Sequence, residues 1–198
     1  MTRLLLWALL ALPLAAQAQH DASVVPDDAP DWLGMEEAIA GAQADDKIIL
    51  VYGYAAWCGF CVRFDREVFT DDAVQAYVNR YFAPTRLDLE DTTTVQFFDA
   101  SVTGVQLGRA MGISGTPTNV FVGSDGSMIT KAPGFMDAET FLYALQYVRE
   151  EAYETTPFDA FLEARRAGLD LKQEADTIVA PRPTGDGAAG GGTGAGGR

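Results

Sequence analysis

The stretch Tyr54-Ala-Ala-Trp-Cys-Gly-Phe-Cys61 follows closely on the apolar run Ile48-Ile49-Leu50-Val51 and holds both cysteines of the 198-residue chain. A disulfide between residues this close shuts a very short loop. The stabilisation gained by restricting the unfolded chain grows with loop length, so the spacing makes a poor structural staple. It suits a dithiol that opens and closes, one thiolate attacking a partner's disulfide and its neighbour resolving the mixed disulfide. An inert structural disulfide is the competing reading. A metal site is disfavoured, because a closed zinc site takes four ligands and the single histidine, His20, lies well upstream in a polar stretch.

The segments on either side say where the pair sits. Lys47 to Tyr54 is β-rich and almost continuously apolar, which predicts a central strand buried on both faces. Phe60 to Val68 contains no Gly or Pro and reads as a helix that begins at the motif itself. Cys58 then lies at a helix N-terminus, where unsatisfied backbone N–H groups and the helix dipole favour a thiolate over a thiol. Cys61, one turn inside, is expected to be more buried and to keep its proton longer. Cys58 is therefore the predicted attacking nucleophile and Cys61 the resolving thiol. Trp57 has two readings, as core packing or as a cover over one side of the nucleophile.

Working outward, Trp32, Met35, Ile39 and Ala42 recur at helical spacing and predict a helix from Asp31, as N-cap, to about Ala44. Thr70 or Asp71 caps a helical stripe of Val74, Tyr77, Val78 and Tyr81. Thr85 to Leu89 alternates like a strand with Pro84 at its start. Glu90 to Thr103 reads as an insertion in which Val95, Phe97, Phe98 and Val102 give a weak strand or hairpin signal. Val105 to Met111 is a short helix ended by Gly112. The strand Thr118 to Val122, the turn Gly123-Ser-Asp-Gly126 and a strand through Thr130 form an antiparallel hairpin. Asp137 caps a helix with Phe141, Leu142, Leu145 and Val148 on one side, and Thr156 and Pro157 open a last helix that stops at Gly168. The order asks for an α/β fold: a mixed central sheet with helices on both faces, its first two strands parallel, the hairpin at its edge and an extra C-terminal helix.

The ends suggest a compartment. Arg3, the apolar run Leu4 to Leu14 and the small-x-small Ala16-Gln-Ala18 read as a signal peptide over residues 1–18, cleaved after Ala18. The apolar run is about eleven residues, short of the roughly twenty that span a bilayer. Residues 19–30 read as a flexible lead-in, 31–168 as the folded domain with its C-terminal helical extension, 169–180 as a linker, and 181–198 as a disordered Gly-rich tail. Export to the periplasm implies an oxidising compartment, yet no cysteine remains for an ordinary staple. A chain of this kind reads as a handler of other proteins' disulfides. The formal charge of −14, with 28 acidic against 14 basic residues, argues against nucleic acid as a partner.

Trp57-Cys-Gly-Phe-Cys61 after a buried strand, with Gly115-Thr-Pro117-Thr118 before a hairpin strand and Gly134 after it, resembles the thioredoxin superfamily across roughly Asp31 to Val148. The resemblance implies a thioredoxin-like fold and a thiol–disulfide oxidoreductase that uses no cofactor and no metal. It further implies a cis Pro117 against the cysteine pair, and a Thr116 backbone that pairs with the bound substrate as an added strand. Trp32, Phe69-Thr-Asp-Asp72, Phe97-Phe-Asp99, Pro133-Gly-Phe135 and Tyr147-Val-Arg-Glu-Glu-Ala-Tyr153 before the Phe158 helix are similar to exported proteins of the SoxW type. Those are associated with sulfur oxidation and with electrons received from a membrane thiol carrier. The first half also resembles the C-terminal domain of DsbD. Two departures from the thioredoxin pattern matter. Gly59-Phe60 stands between the cysteines in place of Gly-Pro, and Tyr52 occupies the position of the buried aspartate that deprotonates the resolving thiol. The absence of a histidine in the dipeptide favours a reductant over an oxidase that donates disulfides. A non-catalytic binding module that holds a client beside Pro117 is the remaining alternative.

Overall fold

The computed structural model describes residues 29–168; the predicted signal peptide, most of the lead-in, the linker and the Gly-rich tail lie outside the described residues. At the centre is β1 (Ile48–Tyr54), whose five inner residues are all buried. It pairs in parallel with β2 (Phe82–Asp88) on one side and antiparallel with β5 (Thr118–Val122) on the other, and β6 (Met128–Pro133) extends the sheet in the order β2-β1-β5-β6. The first two strands are parallel and the hairpin forms the edge, as the sequence implies. β6 runs three residues beyond the expected Thr130.

Strand periodicity sends alternate residues to opposite faces, which splits the apolar interior in two. Ile49, Val51, Val120 and Val122 meet α1 (Met35–Asp45) through Met35, Ala38, Ile39 and Ala42, and α4 (Gly104–Ala110) through Leu107. Leu50, Tyr52 and Phe121 meet α2 (Gly59–Glu67), α3 (Asp72–Tyr81) and α5 (Ala138–Arg149), which contribute Phe64, Val78, Phe141 and Leu145. The C-terminal helix α6 (Phe158–Gly168) follows a 3-10 turn at Ala152–Glu154 and packs Phe158 and Phe161 around Tyr147. Among the described residues, no helix is long and apolar enough to cross a membrane.

Several boundaries differ from the sequence reading. The N-cap of α1 is Gly34, and Asp31 instead donates its backbone N–H to Asn79 Oδ1. Leu33 bridges Thr85 at the outer edge of β2, so the chain is extended there. That alternation sends Trp32 to the α2 side, away from the Met35 face it was grouped with, and Leu33 to the α1 side. Pro84 lies inside β2, opposite Leu50. An edge strand accepts it because no ladder donor is lost, and its carbonyl accepts from Leu33 N–H at 2.9 Å. The last helix starts at Phe158, one residue later than expected. The Glu90–Thr103 insertion is a true hairpin of β3 (Thr94–Phe97) and β4 (Ala100–Thr103). Phe98 at its tip packs so closely on Gly126 that a Cβ there would meet the ring at 3.2 Å, and Gly126 also has φ +87°.

Candidate functional site at the Cys58–Cys61 disulfide

Cys58 is the N-cap of α2, and its Sγ accepts a hydrogen bond from Cys61 N–H at 3.0 Å. The two cysteines form a disulfide, with Cα atoms 5.2 Å apart. Both are buried in this state, Cys58 at 4% and Cys61 at 1% exposure, in the order the sequence predicts though with little between them. No acidic residue lies in the first turn of α2, so the partial positive charge at the helix start is not offset locally.

Around the disulfide the surface is aromatic. Trp57 is 73% and Phe60 60% exposed, which removes the core-packing reading of Trp57. The Phe60 ring lies 6.2 Å from that of Phe135, and the Arg63 guanidinium sits 4.2 Å over Phe135 while pairing with Glu67. The Thr116–Pro117 bond is cis. Thr118, next in the chain, pairs with Gly53 near the end of β1, which ties this loop to the strand that leads into the cysteine motif. The Pro117 carbonyl accepts from Gly134 N–H at 2.8 Å, and Thr118 Oγ1 donates to the Gly115 carbonyl at 2.7 Å.

Beneath the cysteines lies a polar and aromatic layer. The Tyr52 hydroxyl donates to the Cys61 carbonyl at 3.2 Å. Its ring neighbours Trp32, Tyr54, Phe64 and Phe69. Burial, reinforced by the charge of Asp65, pushes the Tyr52 phenol far above its ordinary value, so it holds its proton and is no base. Asp65 lies one helical turn after Cys61, where i and i+4 residues share a face, and is buried. Arg86 grips it with two bonds of 2.8 and 3.1 Å. The Arg86 guanidinium lies 4.5–5.3 Å from the ring centroids of Tyr54, Tyr52 and Trp32. Burial raises the Asp65 carboxyl above its usual range and the bonds to Arg86 pull it back.

Asp65 and Arg86 escape a motif reading, and Phe135 enters one only within Pro133-Gly-Phe135, not as a neighbour of the Phe60 ring. Asp65 does carry a signal, its spacing from Cys61 on a helix, whereas Arg86 is brought in by the parallel register that sets it beside Tyr52. Among the described residues no cluster of three or more His, Cys, Asp or Glu is placed to hold a metal ion.

A family model for the thioredoxin-like domain matches residues 35–149. The chain belongs to this family. Over 107 residues it is 37% identical to the thiol:disulfide interchange protein DsbD of Yersinia pestis, covering 53% of this chain and 16% of that protein. With DsbD of Photorhabdus laumondii it shares 30% over 125 residues, 60% of this chain and 19% of the relative. The chain thus matches under a fifth of the length of these relatives. Among solved structures, a thioredoxin-fold protein from Helicobacter pylori superposes with TM-score 0.53 at 20% identity over 68% of this chain and 85% of its own, which is a likeness of fold. A putative disulphide-isomerase from Bacteroides thetaiotaomicron gives 0.50 at 29% identity over 66% of this chain and 98% of its own.

Proposed function

We propose that this thiol–disulfide oxidoreductase is exported to the periplasm and reduces disulfides of client proteins there, with Cys58 attacking and Cys61 resolving. The observation that carries the assignment is Cys58 as the N-cap of α2 with Cys61 N–H directed at its sulfur. Those backbone donors stabilise a thiolate at Cys58 once the disulfide opens. The Cys58 thiolate attacks one sulfur of the client disulfide and expels the other as a thiolate. The Cys61 thiolate then attacks Cys58 Sγ, freeing the second client thiol and closing the Cys58–Cys61 disulfide. Two electrons and two protons pass to the client. A membrane thiol carrier, by the same exchange in reverse, restores the dithiol. Trp57, Thr116 and Pro117 form the client-facing surface, Thr116 through its backbone. A place in sulfur oxidation or a related periplasmic redox route fits the sequence features shared with SoxW-type proteins.

Cys61→Ser in the full chain, expressed with its N-terminal segment, is expected to accumulate mixed disulfides through Cys58 in intact cells. Recovery of none would sink the proposal. The direction of flow rests on the reduction potential of the pair. A value nearer about −270 mV than about −120 mV supports a reductant, and the reverse supports a donor of disulfides.

A further inference from the structure

Asn119 lies in β5, directly opposite Tyr52 of β1. Residues opposite each other in an antiparallel pair share a face. Asn119 therefore stands on the α2 side of the sheet, next to the residue whose hydroxyl reaches the Cys61 carbonyl. It is 0% exposed, and neither its Oδ1 nor its Nδ2 has a hydrogen-bond partner among the described residues. A buried amide with both ends unpaired is costly and calls for an explanation. Tyr52 beside it is already committed, its proton going to the Cys61 carbonyl.

We propose that the Asn119 amide hydrogen-bonds the Cys61 sulfur once the disulfide opens, and so positions the resolving thiol for its proton loss. This rests on the oxidoreductase reading above. An amide suits the task because it offers an acceptor and a donor at one place. Oδ1 accepts from the Cys61 thiol, and after its proton passes to the client thiolate expelled in the first exchange, Nδ2 donates to the thiolate that attacks Cys58 Sγ. Closing the disulfide removes the sulfur's proton and charge and leaves the amide unpaired, as observed. Asn119 thus favours the dithiol over the disulfide and makes the pair less reducing than the same scaffold with an apolar residue there.

The test is the redox equilibrium of the full chain with reduced and oxidised glutathione. Asn119→Leu is expected to shift the equilibrium about tenfold toward the disulfide, equivalent to about 30 mV more negative. In a Cys58→Ser background, Asn119→Leu is expected to raise the pH at which Cys61 becomes reactive to alkylation. The wild-type protein supplies a measurement independent of any variant's folding: the Asn119 side-chain amide resonances should move on reduction, with slowed exchange of one proton. An unchanged equilibrium constant in a folded Asn119→Leu protein, or amide resonances identical in the two redox states, overturns the inference and leaves the oxidoreductase reading standing. A wild-type chain that exchanges with no disulfide overturns both.

Discussion

The two faces of the central sheet are built from different materials. On the α1 side, Ile49, Val51, Val120 and Val122 pack against Met35, Ala38, Ile39, Ala42 and Leu107. On the α2 side the strands present Tyr52 and Phe121 to Phe64, Phe69 and Phe141, with Trp32 and the Asp65–Arg86 pair at one end. Aliphatic side chains have no polar atoms to satisfy, so apart from the buried hydroxyls of Thr85 and Thr118 that face asks for volume and shape. Aromatic rings have directional edges and faces, several meeting here at 83–90°, and they accept a cation. The redox helix is seated on the face where a hydroxyl, an ion pair and an amide have been brought inside. The other face is scaffold.

The largest effect that would test this contrast is expected from Arg86→Leu. It leaves Asp65 buried without its partner, which costs about 3–5 kcal/mol in urea unfolding at pH 7. The loss should depend on pH in a defined sense. Without Arg86 the folded-state pKa of Asp65 rises further above its unfolded value. Such a group stabilises the fold below the unfolded pKa and loses that contribution as pH rises through the folded one. The deficit should therefore be smallest in acid and grow toward neutrality. An equal deficit at pH 4 and pH 7 would show that the pair acts through packing alone.

Ile49→Val probes the opposite face and is expected to cost about 0.5–1.5 kcal/mol with the reduction potential unchanged. A shift in potential comparable to that of Asn119→Leu would break the division between scaffold and redox face. The smallest effect is expected at Asp137, whose carboxylate accepts from Thr140 N–H at 2.8 Å and caps α5. Hydrogen bonds from the Thr140 hydroxyl and the Thr140 N–H hold its carboxyl below the usual range. Its contribution is present above the unfolded value of about 3.9 and is lost as pH falls through the folded one. Asn caps nearly as well but does not titrate, so Asp137→Asn should remove about 0.3–1 kcal/mol at neutral pH and progressively less as pH falls through the folded value. A constant difference across that range would refute the assignment.

Much of this was legible in local pattern. Cys58 and Cys61 announce themselves by spacing, β1 by an unbroken apolar run, and α3 and α5 by stripes behind Asp71 and Asp137, which do cap them. Other features were not. Trp32 falls at helical spacing with Met35 yet joins the opposite face, because a single bridge at Leu33 makes the chain extended where the pattern suggested helix. Thr103 and Gln106 form a capping box that starts α4 inside a segment whose Thr and Asp content obscured it. Asn119 within Thr-Asn-Val-Phe-Val is a visible polar residue in a buried strand, but only the register opposite Tyr52 says what it lies beside.

The sequence by itself placed two cysteines one helical turn apart at the exit of a buried strand and led to the expectation that Cys58 attacks first, because helix dipole and spacing act over a few residues. It also showed that Tyr52 stands where a carboxylate would be expected. The polar groups on the Tyr52 face of the sheet were placed by tertiary structure alone. Tyr52, Asp65, Arg86 and Asn119 come from β1, α2, β2 and β5, and only the parallel and antiparallel registers of the sheet set them side by side. Burial and pairing, which fix whether a group holds or yields a proton, are properties of that assembly and of no single segment.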